Sequence, residues 1–334
     1  RTAAPHAMGE IATFRRPPGR SGLATEVLFL AATKTARRHL IFFPGDVQMR
    51  RAEMEQDLRG GTFEFAGDSL DDTLPRLRDA AGGDAHVWCV RPGRMIHQFA
   101  CYSQFATVSV VGSARYDGTA SRASEELLAA MGHGHRAAVE AGAVGAGEEQ
   151  LPWVILGFSK GVVVINQLLV ELASGWPKAV RVLARCRELH FVDGGNGAER
   201  GAFLALPSVL DTLSELCKRP EGPLRVVVHN SPYQLRSPQA PWIAAERTEF
   251  LEGLKRRGAQ VAVIDVFVGE APSLRRHFDM LRSVKGLQTC EPPQWVRWDP
   301  DFGRCTVQSA QQDMGLALAA PAPPPGLPVA KRGS

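Results

Sequence analysis

Several common functions find no support in this sequence. Its six cysteines, scattered from Cys89 to Cys305 over 334 residues, form no Cys-x-x-Cys pair, and none sits at zinc spacing from a histidine. They read as reduced thiols of an intracellular chain, with no structural metal. There is no G-x-x-x-x-G-K-[ST] phosphate loop, and Gly195-Asn196-Gly197 is followed by Arg200 where a dinucleotide fingerprint needs glycine. No cofactor is therefore expected. The short pair His133 and His135 lies in a Gly/Ala-rich stretch and reads as solvated rather than metal-bound. The longest apolar stretch, Leu151–Ala173, carries Lys160, Asn166, Gln167 and Glu171, which a lipid-spanning helix would have to bury. No transmembrane segment is expected, and no internal repeat is found.

A strong charge of one sign is missing too. Lys and Arg number 39 against 35 Asp and Glu, a formal net charge of +4. Residues 1–38 hold seven basic and two acidic residues, whereas residues 39–285 balance at −1. A near-neutral body excludes a phosphate-tracking surface, so no nucleic-acid partner is expected. The acid-poor, Arg-rich start has the composition of a mitochondrial presequence and equally of a solvated tail.

What is present is the pattern of a folded α/β chain. Hydrophobic residues make up 44% and charged residues 22%, ordinary for a globular protein. Short apolar runs predict strands at Glu26–Ala31, His39–Phe43, His86–Val90, Trp153–Leu156, Glu188–Val192, Leu224–Val228 and Gln260–Val268. Helical periodicity predicts helices at Leu70–Asp79, Val162–Ala173, Ser208–Lys218 and Trp242–Arg257. Strands apolar on both faces belong to a parallel sheet covered by helices on both sides. The expectation is a single α/β-hydrolase-like, doubly wound, mostly parallel sheet over residues 25–285. A disordered basic segment, 1–24, precedes it. A low-complexity insert, 112–150, interrupts it, with one helical patch around Glu125–Met131. A C-terminal extension, 286–334, follows and ends in a disordered Pro-rich stretch, Pro321–Pro328.

The chemistry is carried by Gly157-Phe158-Ser159-Lys160-Gly161, a G-x-S-x-G match. Its flanks are a buried strand before and an apolar helix after, as a nucleophile elbow requires. Small residues two before and two after let the backbone bend sharply. The serine then stands above a helix N-terminus whose free N–H groups can hold an oxyanion. A nucleophilic serine needs a base and an orienting acid, in the order acid then histidine. Of the histidines after Ser159, His190 lies inside a strand and His229 ends one. His277 lies beyond the last predicted strand, in a loop or helix start, and is the candidate base. Asp193 ends the strand Glu188–Val192 before Gly194-Gly195 and is the candidate acid, with Glu270 as runner-up. The oxyanion donors would be the N–H of Lys160 and that of Asp46 or Val47, in the turn after Phe43. The Lys160 ammonium would either attract an anionic substrate or be solvated.

Together with the runs Phe42-Phe43-Pro44-Gly45-Asp46-Val47-Gln48, Asn166-Gln167-Leu168-Leu169, Asp193-Gly194-Gly195, Ser231-Pro232-Tyr233-Gln234 and Glu270-Ala271-Pro272-Ser273, this elbow resembles the eukaryotic family of the human chromosome-two open-reading-frame sixty-nine protein. The resemblance spans about residues 39–280 and implies an α/β-hydrolase-like fold, a mitochondrial location (the matrix) and a serine-hydrolase site at Ser159, Asp193 and His277. The expected partner is a small acyl substrate, an ester or thioester, and a protein partner is left open. The rival expectation is a non-catalytic binding or scaffold protein that keeps the fold.

Overall fold

The computed structural model describes residues 9–57, 61–220, 222–284 and 287, with two further strands at 296–299 and 304–307. Ten strands form the main sheet: β1 (Ala12–Arg16), β2 (Thr25–Leu30), β3 (Arg38–Phe43), β4 (Ala85–Val90), β5 (Trp153–Phe158), β6 (Cys186–Val192), β7 (Arg225–Asn230), β8 (Val261–Asp265), β9 (Val296–Asp299) and β10 (Arg304–Val307). Their order across the sheet is β1-β2-β4-β3-β5-β6-β7-β8-β10-β9. The block from β4 to β10 is parallel. β1, β2 and β9 run antiparallel to their neighbours. The nine helices of the described residues are α1 (Arg51–Gln56), α2 (Leu70–Ala80), α3 (Ala123–Glu140), α4 (Val162–Ala173), α5 (Pro177–Arg185), α6 (Pro207–Lys218), α7 (Pro232–Leu235), α8 (Trp242–Arg256) and α9 (Leu274–Arg282). This is the α/β-hydrolase arrangement that the alternation of apolar runs and helical patterns predicts.

Two-residue periodicity sorts each strand onto two cores. On one face Ile41 and Phe43 of β3 join a cluster with Leu127 of α3, Leu168 of α4, Leu213 of α6 and Phe250 of α8. On the other, Leu40 and Phe42 meet Met54 of α1, Leu74 of α2 and Phe278 of α9. The chain leaves β3 toward β4 on one side and later enters β5 on the other. The order reverses between β3 and β5, and the carboxyl ends of these two strands bound a crevice.

Expectations for two segments and one histidine need correction. The segment 1–24 was expected to be disordered, yet Ala12–Arg16 pairs with β2 over five residues. Such an edge strand buries only alternate residues on one face: Ala12 is buried and Phe14 packs on Phe29 and Trp88, too short a pattern to stand out in sequence. The insert 112–150 carries the 18-residue helix α3, well beyond the expected patch. Its Gly and Ala residues are a packing surface: a Cβ on Gly134 would lie 3.1 Å from the Trp88 ring. Buried Glu171 of α4 ties this helix down, accepting hydrogen bonds from the backbone of Ala123, and from the N–H and hydroxyl of Ser124 at 2.9 and 2.5 Å. His135, expected to be solvated, is buried on α3 against His39 and Trp88. In the extension 286–334, β9 and β10 add to the sheet, while the Pro-rich end lies outside the described residues.

Candidate active site

Between β5 and α4 the chain turns through Ser159–Gly161. Ser159 has φ of +52°, a left-handed conformation that L residues rarely adopt. The turn closes only because its glycines lack side chains. A Cβ on Gly161 would lie 2.0 Å from the Phe43 carbonyl oxygen, and one on Gly157 would lie 2.8 Å from the Val162 nitrogen. Ser159 lines a cavity of about 730 Å³ at the carboxyl ends of the strands, together with Asp46, Lys160, Tyr233 and His277.

The structure brings Asp193 and His277 together from opposite ends of an 84-residue separation. Asp193 follows β6 with φ of +46° and is fully buried. Its Oδ2 accepts His277 Nδ1–H at 2.7 Å and the Ser231 hydroxyl at 2.5 Å, and its Oδ1 accepts the Ser231 N–H at 2.8 Å. A carboxylate can only accept, so Nδ1 carries the proton and Nε2 is the imidazole's free acceptor. His277 sits in the first turns of α9, a helix capped by the Ser273 hydroxyl on Arg276 N–H at 3.2 Å. Its ring lies between Phe158 and Tyr233, with centroids 4.5 and 4.6 Å away. These contacts leave the imidazole little freedom to tilt. Ser159 Oγ makes no hydrogen bond to His277 in this structure; in many hydrolases that contact tightens only when substrate is bound. The runner-up acid, Glu270, lies elsewhere and pairs with Arg276 at 2.6 Å.

The oxyanion candidates separate as well. Val47 is removed from the set: its N–H donates to the Gln98 carbonyl at 2.7 Å, so it is not free for a substrate oxygen. The N–H of Asp46 has no partner among the described residues, and the Lys160 N–H opens the first turn ahead of α4, where helix geometry leaves amides unpaired. Both alternatives for the Lys160 ammonium are corrected. It is neither solvated nor open to a ligand: the side chain is 1% exposed and Nζ reaches Asp46 Oδ1 at 3.0 Å and the Val111 carbonyl at 2.9 Å. The Asp46 carboxylate, which would repel an oxyanion if it faced one, is turned onto Lys160 and accepts the Ala100 N–H at 2.7 Å. Burial raises its pKa, and the Lys160 charge opposes that rise.

His190 and His229 lie away from the cavity as a buried stacked pair. His190 Nε2 meets Glu188 Oε2 at 2.8 Å, and burial drives the His229 pKa well below its usual value. Sequence reasoning assigned no role to Ser231, Phe158 or Tyr233. Ser231 was visible in principle, because Ser-Pro directly after a strand is a helix-start signal, and its hydroxyl accepts the Tyr233 N–H at 3.2 Å. Two small hairpins after β4, Arg94–Ile96 with Phe99–Cys101 and Thr107–Val108 with Ala114–Arg115, bring Gln98, Phe99 and Val111 to the cavity. No periodicity announces strands of two or three residues.

Comparison with known proteins finds similar chains. A zebrafish (Danio rerio) protein named mitochondrial protein C2orf69 homolog is 28% identical over 259 residues, covering 73% of this chain and 72% of that one. The human mitochondrial protein C2orf69 is 24% identical over 289 residues, covering 72% and 73%. The expected mitochondrial location agrees with both names. Among solved structures, a fungal esterase from Rhizomucor miehei aligns over 83% of each chain with a TM-score of 0.40 and 12% identity. A lipase/esterase from Lactobacillus plantarum aligns over 83% of this chain and 100% of its own, with a TM-score of 0.42 and 11% identity. The sequence pattern described as C2orf69 matches residues 18–144 and 117–260, so β2 through β7, the turn at Ser159 and most of the cavity lining fall within it, and the chain belongs to the C2orf69 family.

Proposed function

We propose that this protein is a serine hydrolase of the mitochondrial matrix acting on an ester or thioester. Ser159 Oγ attacks the acyl carbon as His277 Nε2 takes its proton. The tetrahedral oxyanion is held by the N–H groups of Asp46 and Lys160, and the proton passes to the departing alcohol or thiol. Water, activated by the same imidazole, then releases the acid from Ser159. Asp193 orients the ring and stabilises its protonated form. The observation that carries this reading is the buried 2.7 Å bond from His277 Nδ1 to Asp193, with the imidazole lining the same cavity as Ser159 on its left-handed turn.

A non-catalytic binding role is the second reading, favoured by the unmade Ser159–His277 hydrogen bond. A fluorophosphonate probe separates the two. Labelling of the wild type that is lost in Ser159→Ala supports the hydrolase. Equal labelling of both, or none where a control hydrolase reacts, favours the binding protein.

A further inference from the structure

Resting on the hydrolase reading, we infer that the site takes substrates that are uncharged around the scissile bond, and that the Asp46–Lys160 pair is the device that excludes anionic ones. The acidic and basic side chains lining the cavity are Asp46, Lys160 and His277. His277 is committed to Asp193. An ammonium has three N–H donors. On Lys160 one reaches the Val111 carbonyl at 2.9 Å and one reaches Asp46 at 3.0 Å, while the Phe99 ring covers Nζ at 5.0 Å. With two of its three donors engaged and the side chain 1% exposed, this cation is closed off from a substrate.

The rest of the lining is neutral and of two kinds. Gln98, Gln234, Ser237 and Gln239 present amides and a hydroxyl, and Phe99, Val111 and Leu274 present apolar surface. A carboxylate or phosphate brought here would lose its hydration, meet the Asp46 carboxylate and gain no cation in return. A neutral ester or thioester finds apolar residues for its acyl chain and amides for hydrogen bonds to its polar portion. The pair thus does two jobs. It ties together the two residues whose N–H groups face the oxyanion, and it cancels the one cation that would otherwise draw anions to the nucleophile.

The test compares ligands of equal length and different charge. Ser159→Ala protein is titrated with octanamide and with octanoate, reading the thermal shift. The amide should bind at least about tenfold more tightly. In hydrolysis, p-nitrophenyl hexanoate should exceed the monoanionic p-nitrophenyl glutarate of matched length by at least about tenfold in kcat/KM. Asp46→Asn, which frees the ammonium, should narrow both ratios about tenfold, and Lys160→Met should not. Should Asp46→Asn fail to fold, Gln239→Lys, at an exposed position on the rim, adds a free cation to the intact pair and should narrow the ratios too. Equal binding of octanamide and octanoate by Ser159→Ala, or ratios unmoved by the freed or added cation, would overturn the inference. Failure of the fluorophosphonate to label the wild type sinks the hydrolase reading instead, and the octanamide–octanoate comparison still decides the selectivity.

Discussion

The two ends of the sheet both bury histidines, and they use them in opposite ways. At the carboxyl ends of the strands, His277 gives Nδ1–H to Asp193 and keeps Nε2 uncommitted beside a cavity. At the amino ends, His39 opens β3 with both nitrogens engaged: Nδ1 accepts the Trp88 indole N–H at 2.9 Å, and Nε2–H donates to the Glu148 carbonyl at 2.8 Å. Burial holds the His39 pKa down at about 4, so this ring stays neutral and structural at physiological pH. Neighbouring His86 is fixed in the same manner, by the Ala32 N–H and by Glu148. The contrast teaches that a buried histidine is a chemical group only where one nitrogen is left over and a cavity reaches it. Burial and perturbed protonation alone do not mark function.

The largest test breaks the cavity end without touching the other. Asp193→Asn leaves the shape but removes the charge that supports protonated His277. Ester hydrolysis should fall about 10³–10⁴-fold, with Ser159 still present, as rate assays on matched preparations would show. A loss below tenfold would mean that Asp193 acts only as a structural cap for Ser231.

The next test breaks the opposite end. The ordinary histidine pKa of 6.5 holds for His39 in the unfolded chain, and burial lowers it to about 4 in the folded one. The unfolded chain therefore binds the extra proton between these values, and stability is lost as pH falls from about 6.5 to 4. One group with this shift contributes about 3 kcal/mol over that window. Denaturant unfolding at pH 7 and pH 5 should show the loss in the wild type and a shallower one in His39→Gln. Fluorophosphonate labelling at pH 7 should be the same in both. An unchanged slope would place the acid sensitivity elsewhere.

The smallest effect concerns the link between the ends. Glu171 holds the N-terminus of α3, the helix that lays His135 over the His39 cluster, onto α4, which descends from the elbow. Glu171→Ala leaves buried N–H groups unpaired and should cost about 1–3 kcal/mol, seen as a lowered Tm. Labelling of Ser159 should persist, because the elbow is set by local backbone.

Most of the sheet was legible in the residues. β3 through β8 and the helices α2, α4, α6 and α8 fall within a few residues of the predicted runs, because each buries a long, periodic apolar face. β1, the two hairpins and α3 were missed or shortened. Their signals are one-sided, very brief or made of small residues whose role appears only against a large neighbour such as Trp88. The tight turn at Ser159 was legible for another reason: Gly157, Ser159 and Gly161 lie within five residues, so the constraint is local.

By itself the sequence determined the alternation that makes a parallel sheet, the position of the elbow, and a small set of acids and histidines from which a site could be drawn. Only the tertiary structure decided among them. It put Asp193 rather than Glu270 on His277, took Val47 out of the oxyanion set, and turned Lys160 from a free cation into a neutralised one. The reason is physical. A strand or a tight turn is specified by neighbours in the chain, whereas a hydrogen bond across 84 residues, or an ion pair buried between two strand ends, exists only once the sheet has set the distance.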